Sequence, residues 1–123
     1  MCNLLILHFC NICAEYNIVN ISPTILTPTG AEVTALVVNQ IGNVVSFRLE
    51  FKLTANASDW IYVAKGLPMP VGTSNLYSTT NYWSTSFIRP VRIALETNGY
   101  LAVRYGGSGS FAFSFTYITS EGV

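Results

Sequence analysis

A chain of 123 residues holds one domain and is long enough to bury a core without disulfide or metal staples. Its six basic and six acidic residues cancel, and Arg48, Arg89, Arg92 and Arg104 are spread along the sequence, so the basic stripe that grips nucleic-acid phosphates is missing and no nucleic acid is expected as a partner. Only 10% of the residues are charged, against about 25% in an ordinary domain, and a surface this neutral argues for a homo-oligomer.

Residues 1–23 form an N-terminal segment whose role the residues leave open. Leu4 to Ile12 is apolar but far shorter than the roughly 20 residues that span a bilayer, so membrane insertion is not expected. The stretch also lacks the positive flank and small-residue cleavage site of a signal peptide. It reads either as a short element packing at an interface or as the ragged start of a piece of a longer protein. The odd number of cysteines (Cys2, Cys10 and Cys13) rules out a complete set of intrachain disulfides. Together with His8 they are residue types that tetrahedral zinc accepts, but the spacing is poor. Incidental thiols are the favoured reading, with no metal and no cofactor.

Residues 24–123 read as a single domain. Thr24 to Gly30, with prolines in and beside it, suits a linker or edge segment. Val33 to Val38 is β-branched and apolar and predicts a strand, broken at Gly42-Asn43. In the next run Val45, Phe47, Leu49, Phe51 and Leu53 alternate with Ser46, Arg48, Glu50, Lys52 and Thr54. That period of two gives a half-buried antiparallel strand with a charged ladder facing water. Thr54 to Asp59 reads as a loop. Trp60 to Ala64 is a strand ended by Gly66-Leu67-Pro68-Met69-Pro70, where prolines cannot donate to a ladder. Val71 to Thr85 is rich in Ser, Thr, Asn and Tyr, and is either a long loop or two short strands around Tyr77 and Trp83.

Val91 to Glu96 and Tyr100 to Tyr105 pair as a hairpin, and Asn98-Gly99 between them suits a type I′ turn. Gly106 to Ser110 reads as a flexible hairpin connection, and Phe111, Phe113, Phe115 and Tyr117 mark a last amphipathic strand. Beyond residue 14 no segment has a helical period. The fold class is all-β, an antiparallel β-sandwich.

Catalytic chemistry finds little to work with. A Ser-His-Asp site needs a histidine, and His8 is the single one, in the unplaced N-terminal segment. Glycoside hydrolysis needs paired carboxylates, whereas Glu50 and Glu96 fall on polar strand faces where charges are ordinarily just solvated. Phe47, Phe51, Phe111, Phe113, Phe115 and Trp60 are assigned to the core. Tyr77, Asn81, Tyr82 and Trp83 instead sit in the polar stretch, where exposed rings would stack on sugars while amides and hydroxyls take their hydroxyl groups. They are the candidate ligand-binding residues. Packing back onto the sandwich or into a subunit interface is the plainer role for the same rings.

The order of these segments resembles a domain at the C-terminal end of phage tail-fibre and baseplate proteins. The likeness runs over about residues 30 to 119: a tryptophan strand (Trp60 to Ala64) entering a Leu67-Pro68 turn, then Arg89-Pro90-Val91, the hairpin at Asn98-Gly99, and the closing Phe113 to Tyr117. The polar insertion after Pro70 is longer than in that pattern. The resemblance implies a jelly-roll-like sandwich assembled as a homotrimer on the virion, working extracellularly as a non-enzymatic receptor-binding domain. The implied partner is a host cell-surface glycan or protein. A monomeric carbohydrate-binding module and a ligand-free trimerisation or capsid-decoration domain are the alternatives.

Overall fold

The computed structural model describes residues 17–80 and 89–122. Among them are nine strands: β1 (Val19–Ile21), β2 (Thr24–Ile25), β3 (Ala31–Ile41), β4 (Val44–Leu53), β5 (Ala57–Lys65), β6 (Leu76–Thr80), β7 (Val91–Leu95), β8 (Leu101–Tyr105) and β9 (Gly109–Ile118). They form two antiparallel sheets, one ordered β1-β3-β4-β9 and the other β2-β5-β8-β7-β6. The chain is the all-β antiparallel sandwich expected from its periodicity. β6, β7 and β8 form a meander and β5 returns beside β8, the Greek-key connection used by jelly-roll-like sandwiches. β1 lies on the N-terminal side of residue 24 and pairs with β3 through Val19–Gln40 and Ile21–Val38.

The core follows the alternation of β4 and β9. Val45, Phe47, Leu49, Phe51 and Leu53 are all at most 3% exposed. Each pairs across with β9, Phe51 opposite Phe111 and Phe47 opposite Phe115, so the aromatic rings meet in the interior. Phe51 and Phe111 stack at 5.5 Å between centroids, and Phe47 lies 5.8 Å from Phe113. The other sheet contributes Val63, Val91, Ile93, Leu95, Leu101 and Val103 to the same core. On the solvent side of β4, Arg48 and Glu50 form an ion pair at 2.9 Å, the start of the expected ladder.

Four local expectations change, the first being that β5 begins at Ala57, inside the stretch read as a loop. The Asn98-Gly99 turn is not type I′, because Gly99 (φ 87°) is at positive φ and Asn98 is not. Gly99 N donates to Glu96 O and Glu96 N to Tyr100 O, which makes a three-residue loop, a type I turn closed by a glycine bulge. Gly106 to Ser110 is not a hairpin; it carries the chain from β8 in one sheet to β9 in the other. Gly106 is buried there, and a Cβ on it would strike Val91 Cγ2 and Leu53 Cδ1. Trp60, assigned to the core from sequence, stands half-buried on the outer face of the five-stranded sheet.

The Gly66–Pro70 turn is held from both sheets. Leu67 N donates to Gly99 O at 3.2 Å, and Tyr117 Oη donates to Pro68 O at 2.6 Å. Thr119 Oγ1 donates to Met69 O at 2.6 Å, and the Glu121 carboxylate accepts from Met69 N. These bonds anchor the end of β5 and the start of the passage to β6, which delivers Tyr77 to the sheet edge.

Candidate functional site

The outer face of the five-stranded sheet is built by the residues that alternate with its core positions. On β7, Val91, Ile93 and Leu95 point inward, so Arg92 and Ala94 point out. On β8 the inward pair is Leu101 and Val103, which turns Ala102 and Arg104 outward. The pairings Tyr62–Ala102, Ala102–Ala94 and Ala94–Tyr77 then draw a row across four strands, with a tyrosine at each end and two alanines between. The alanines are what make a ring platform possible. With side chains this small in the middle, Trp60 on β5 and Tyr77 on edge strand β6 lean toward each other over two intervening strands. Their ring centroids come to 5.9 Å at a tilt of 38°. Both alanines are at most 2% exposed although they face outward, while Tyr77 keeps 54% exposure and Tyr62 41%.

Trp60 alternates with the inward Ile61 and Val63 and sits in an irregular stretch of β5. Pairing with β8 jumps from Ala57–Tyr105 to Ile61–Val103, so Ser58, Asp59 and Trp60 stand opposite Arg104 alone. A bulge of this kind re-aims side chains and frees backbone groups. Asp59 Oδ1 accepts the Trp60 N–H at 2.8 Å, and the freed Ser58 carbonyl accepts from Arg104 Nε at 3.2 Å.

Three arginines meet here, Arg89 and Arg92 from around the start of β7 and Arg104 twelve positions after Arg92. Arg92 and Arg104 are directly opposite one another on β7 and β8. The Arg92 guanidinium lies 5.8 Å from the Tyr77 ring centroid, and that of Arg104 lies 5.8 Å from Trp60 and 4.5 Å from Tyr105. Arg89 covers Tyr105 at 3.8 Å. Tyr105 itself is the one non-glycine at positive φ (72°) among the described residues, a strained backbone that aims its ring between two guanidiniums. Such distances are within reach of cation–π attraction, so the rings hold the guanidiniums in place. Toward the other end of the face, Tyr62 Oη donates to Glu96 Oε2 at 2.8 Å and packs edge-on against Tyr100 at 5.3 Å. That hydrogen bond, with lesser help from burial and from the Glu96 charge, raises the Tyr62 hydroxyl above its ordinary pKa.

Of the residues selected from sequence, Tyr77 lies on this platform, with Asn75 Nδ2 donating to its hydroxyl at 3.4 Å. Asn81, Tyr82 and Trp83 fall outside the described residues, as do Cys2, His8, Cys10 and Cys13. Trp60, Tyr62, Arg92, Arg104 and Tyr105 were missed. The signal available in sequence was the outward phase of β7 and β8, which places arginines where a solvated strand carries any polar residue. Glu50 and Glu96, considered as an acid pair, lie on different sheets, one bound to Arg48 and the other to Tyr62. Among the described residues no cluster of three metal-ligating side chains occurs.

The outer face of the four-stranded sheet makes a contrast. It carries an open depression of about 310 Å³ between Val37, Asn39, Ser46, Arg48, Ser114 and Thr116. Its polar groups already serve each other, Ser46 with Thr116 at 3.0 Å and Arg48 with Glu50. Phe47 and Phe115 also line it, but among the described residues no aromatic ring on this face is as exposed as Tyr77 is on the other. The aromatic–arginine platform is the better-equipped surface. No family model, curated protein or solved structure matches this chain.

Proposed function

We propose that this chain is a distal domain of a phage tail fibre or baseplate, a non-enzymatic homotrimer that binds a glycan on the host surface. The observation that carries the reading is the pair of rings formed by half-buried Trp60 and exposed Tyr77, with arginine and tyrosine donors around it. Sugar rings bind by laying their C–H faces on aromatic rings while hydroxyls hydrogen-bond to nearby polar groups, and the platform offers both within one sheet face. It is open and shallow, which suits a chain end or branch rather than a small molecule enclosed in a cavity. A weak single site is enough when three copies act together, since linked sites convert modest affinity into strong attachment. The low charge of the chain supports a covered subunit interface.

The test joins solution mass to ligand screening. The full chain is sized by light scattering and applied to an array of bacterial-surface glycans beside Trp60→Ala and Tyr77→Ala. A trimer that binds, and loses its signal in both variants without unfolding, is the expected result. A monomer that binds would make the chain a lone carbohydrate-binding module. A trimer with no glycan signal would make it a structural trimerisation domain.

A further inference from the structure

Arg92 is exposed and Arg104 half-buried; they point to the same side and sit directly opposite across β7 and β8. Like charges in that position repel and cost stability. No ion pair offsets the repulsion: among the described residues no carboxylate lies within 4.0 Å of Arg89, Arg92 or Arg104, whereas Arg48 on the other sheet has Glu50. Asp59 and Glu96, the acids on this face, keep their charges but turn an oxygen to the Trp60 N–H and the Tyr62 hydroxyl and pair with none of the three arginines. In a chain with six basic residues, three of them gathered on one face beside a ring platform make a local positive field that the net charge of zero hides.

We infer that the ligand of this face is an acidic saccharide, whose carboxylate or phosphate is held between Arg92 and Arg104 while its ring lies on Trp60 and Tyr77. This rests on the sugar-binding reading above and narrows it. Guanidinium forks match a planar carboxylate or a phosphate with two parallel hydrogen bonds, which a single ammonium does not. Arg104 is prepared for that role. Its Nε is taken by Ser58 O, its plane lies near Trp60 and Tyr105, and its two Nη groups have no hydrogen-bond partner among the described residues. Arg92 stands across the ladder beside Tyr77, so one oxyanion placed between them relieves the repulsion and pairs both cations. The combination of charge and rings also suits single-stranded nucleic acid. Three arginines over one short sheet face are too few for a tracked backbone, and the acidic sugar is the better fit.

The experiment is calorimetry on the full chain with four sugars: trigalacturonate and its methyl ester, mannose 6-phosphate and mannose. An octathymidylate is the fifth ligand. At least tenfold tighter binding of one acid over its neutral counterpart is expected, falling as salt is raised from 50 to 300 mM, by the screening expected for exposed charges. Which acid wins tells carboxylate from phosphate. Arg92→Gln and Arg104→Gln should each bring the acid down to the level of its neutral counterpart. Arg92→Gln should also leave the unfolding midpoint unchanged or higher, because a repulsion has been removed. A lower midpoint would make Arg92 a structural stacking residue and overturn the assignment. Equal binding of acid and neutral sugar overturns the acidic ligand but keeps the sugar-binding reading. If none of the four sugars binds, both readings fall, and tighter binding of the octathymidylate replaces them with nucleic-acid recognition.

Discussion

Replacing Gly42 and Gly99 by alanine, one at a time, separates two costs that a glycine at positive φ conceals. At Gly42 (φ 59°) an added Cβ meets nothing within 4 Å. Gly42→Ala therefore carries the left-handed conformation alone, about 1–2 kcal/mol. At Gly99 (φ 87°) the Cβ also falls inside 3.0 Å of the Leu67 carbonyl oxygen, a backbone atom with no rotamer to escape into. Relief requires the Gly66–Pro70 turn to move. That weakens the Leu67 N–H bond to Gly99 O, worth about 1 kcal/mol net, and partly exposes Leu67, whose full burial contributes about 1.5–3 kcal/mol. Gly99→Ala should then lose about 3–5 kcal/mol, a large share of the 5–15 kcal/mol typical of a whole domain. Urea unfolding followed by circular dichroism reads both variants. With a slope of about 1.5 kcal/mol per molar, Gly42→Ala should lower the midpoint by about 1 M and Gly99→Ala by about 2–3 M. Equal midpoints would refute the reasoning, since they would mean that the turn yields freely and that Leu67 is not held under the hairpin.

Other variants probe the core, the clasp and the platform. Phe51→Ala removes a ring that is 1% exposed and stacked on Phe111, and should cost about 3–5 kcal/mol in urea unfolding, whereas Val37→Ala, at 55% exposure, should stay within about 0.5 kcal/mol. Tyr117→Phe leaves the Pro68 carbonyl without its donor and should cost about 1–2 kcal/mol at neutral pH. Burial, reinforced by the Glu121 charge, raises the Tyr117 hydroxyl well above its usual value of 10.0, so the unfolded chain deprotonates first. Its contribution is whole below pH 10 and is lost as pH climbs toward the folded value. Midpoints measured from pH 8 to 11.5 should therefore fall more steeply for the wild type than for Tyr117→Phe. Ala94→Leu wedges a branched side chain under the Trp60–Tyr77 pair; it should cost about 1–3 kcal/mol and change the near-ultraviolet dichroism, and an unaltered spectrum would mean that the rings do not meet above the alanines.

Residues selected for the site from sequence were chosen by local surroundings, and that explains both what was found and what was missed. Tyr77 stood out because a ring in a polar stretch has no obvious core to enter, and it does remain exposed. Trp60 was assigned inward because tryptophan in an apolar strand ordinarily is. In the structure Ile61 and Val63 take the inward positions of β5, so the strand's own alternation turns Trp60 and Tyr62 outward, and residue type was weighed above phase. The turn at Asn98-Gly99 was misread because its class depends on φ at Asn98, and residue types alone do not fix it: a glycine at positive φ also closes a type I turn with a bulge.

The fold class and the inward faces of β4 and β9 follow from the amino-acid sequence by itself. Period-two alternation admits one partition of large apolar side chains when one face must be dry. The platform was decided by tertiary structure. Arg92 and Arg104 are twelve positions apart and Trp60 lies 32 before Arg92; their meeting depends on strand order and register, which seat β8 between β5 and β7. Strand order is set by how both sheets close over the common core, a global packing choice that no local run of residues encodes. For this reason four arginines that look scattered along the chain place three of their charges on a single face.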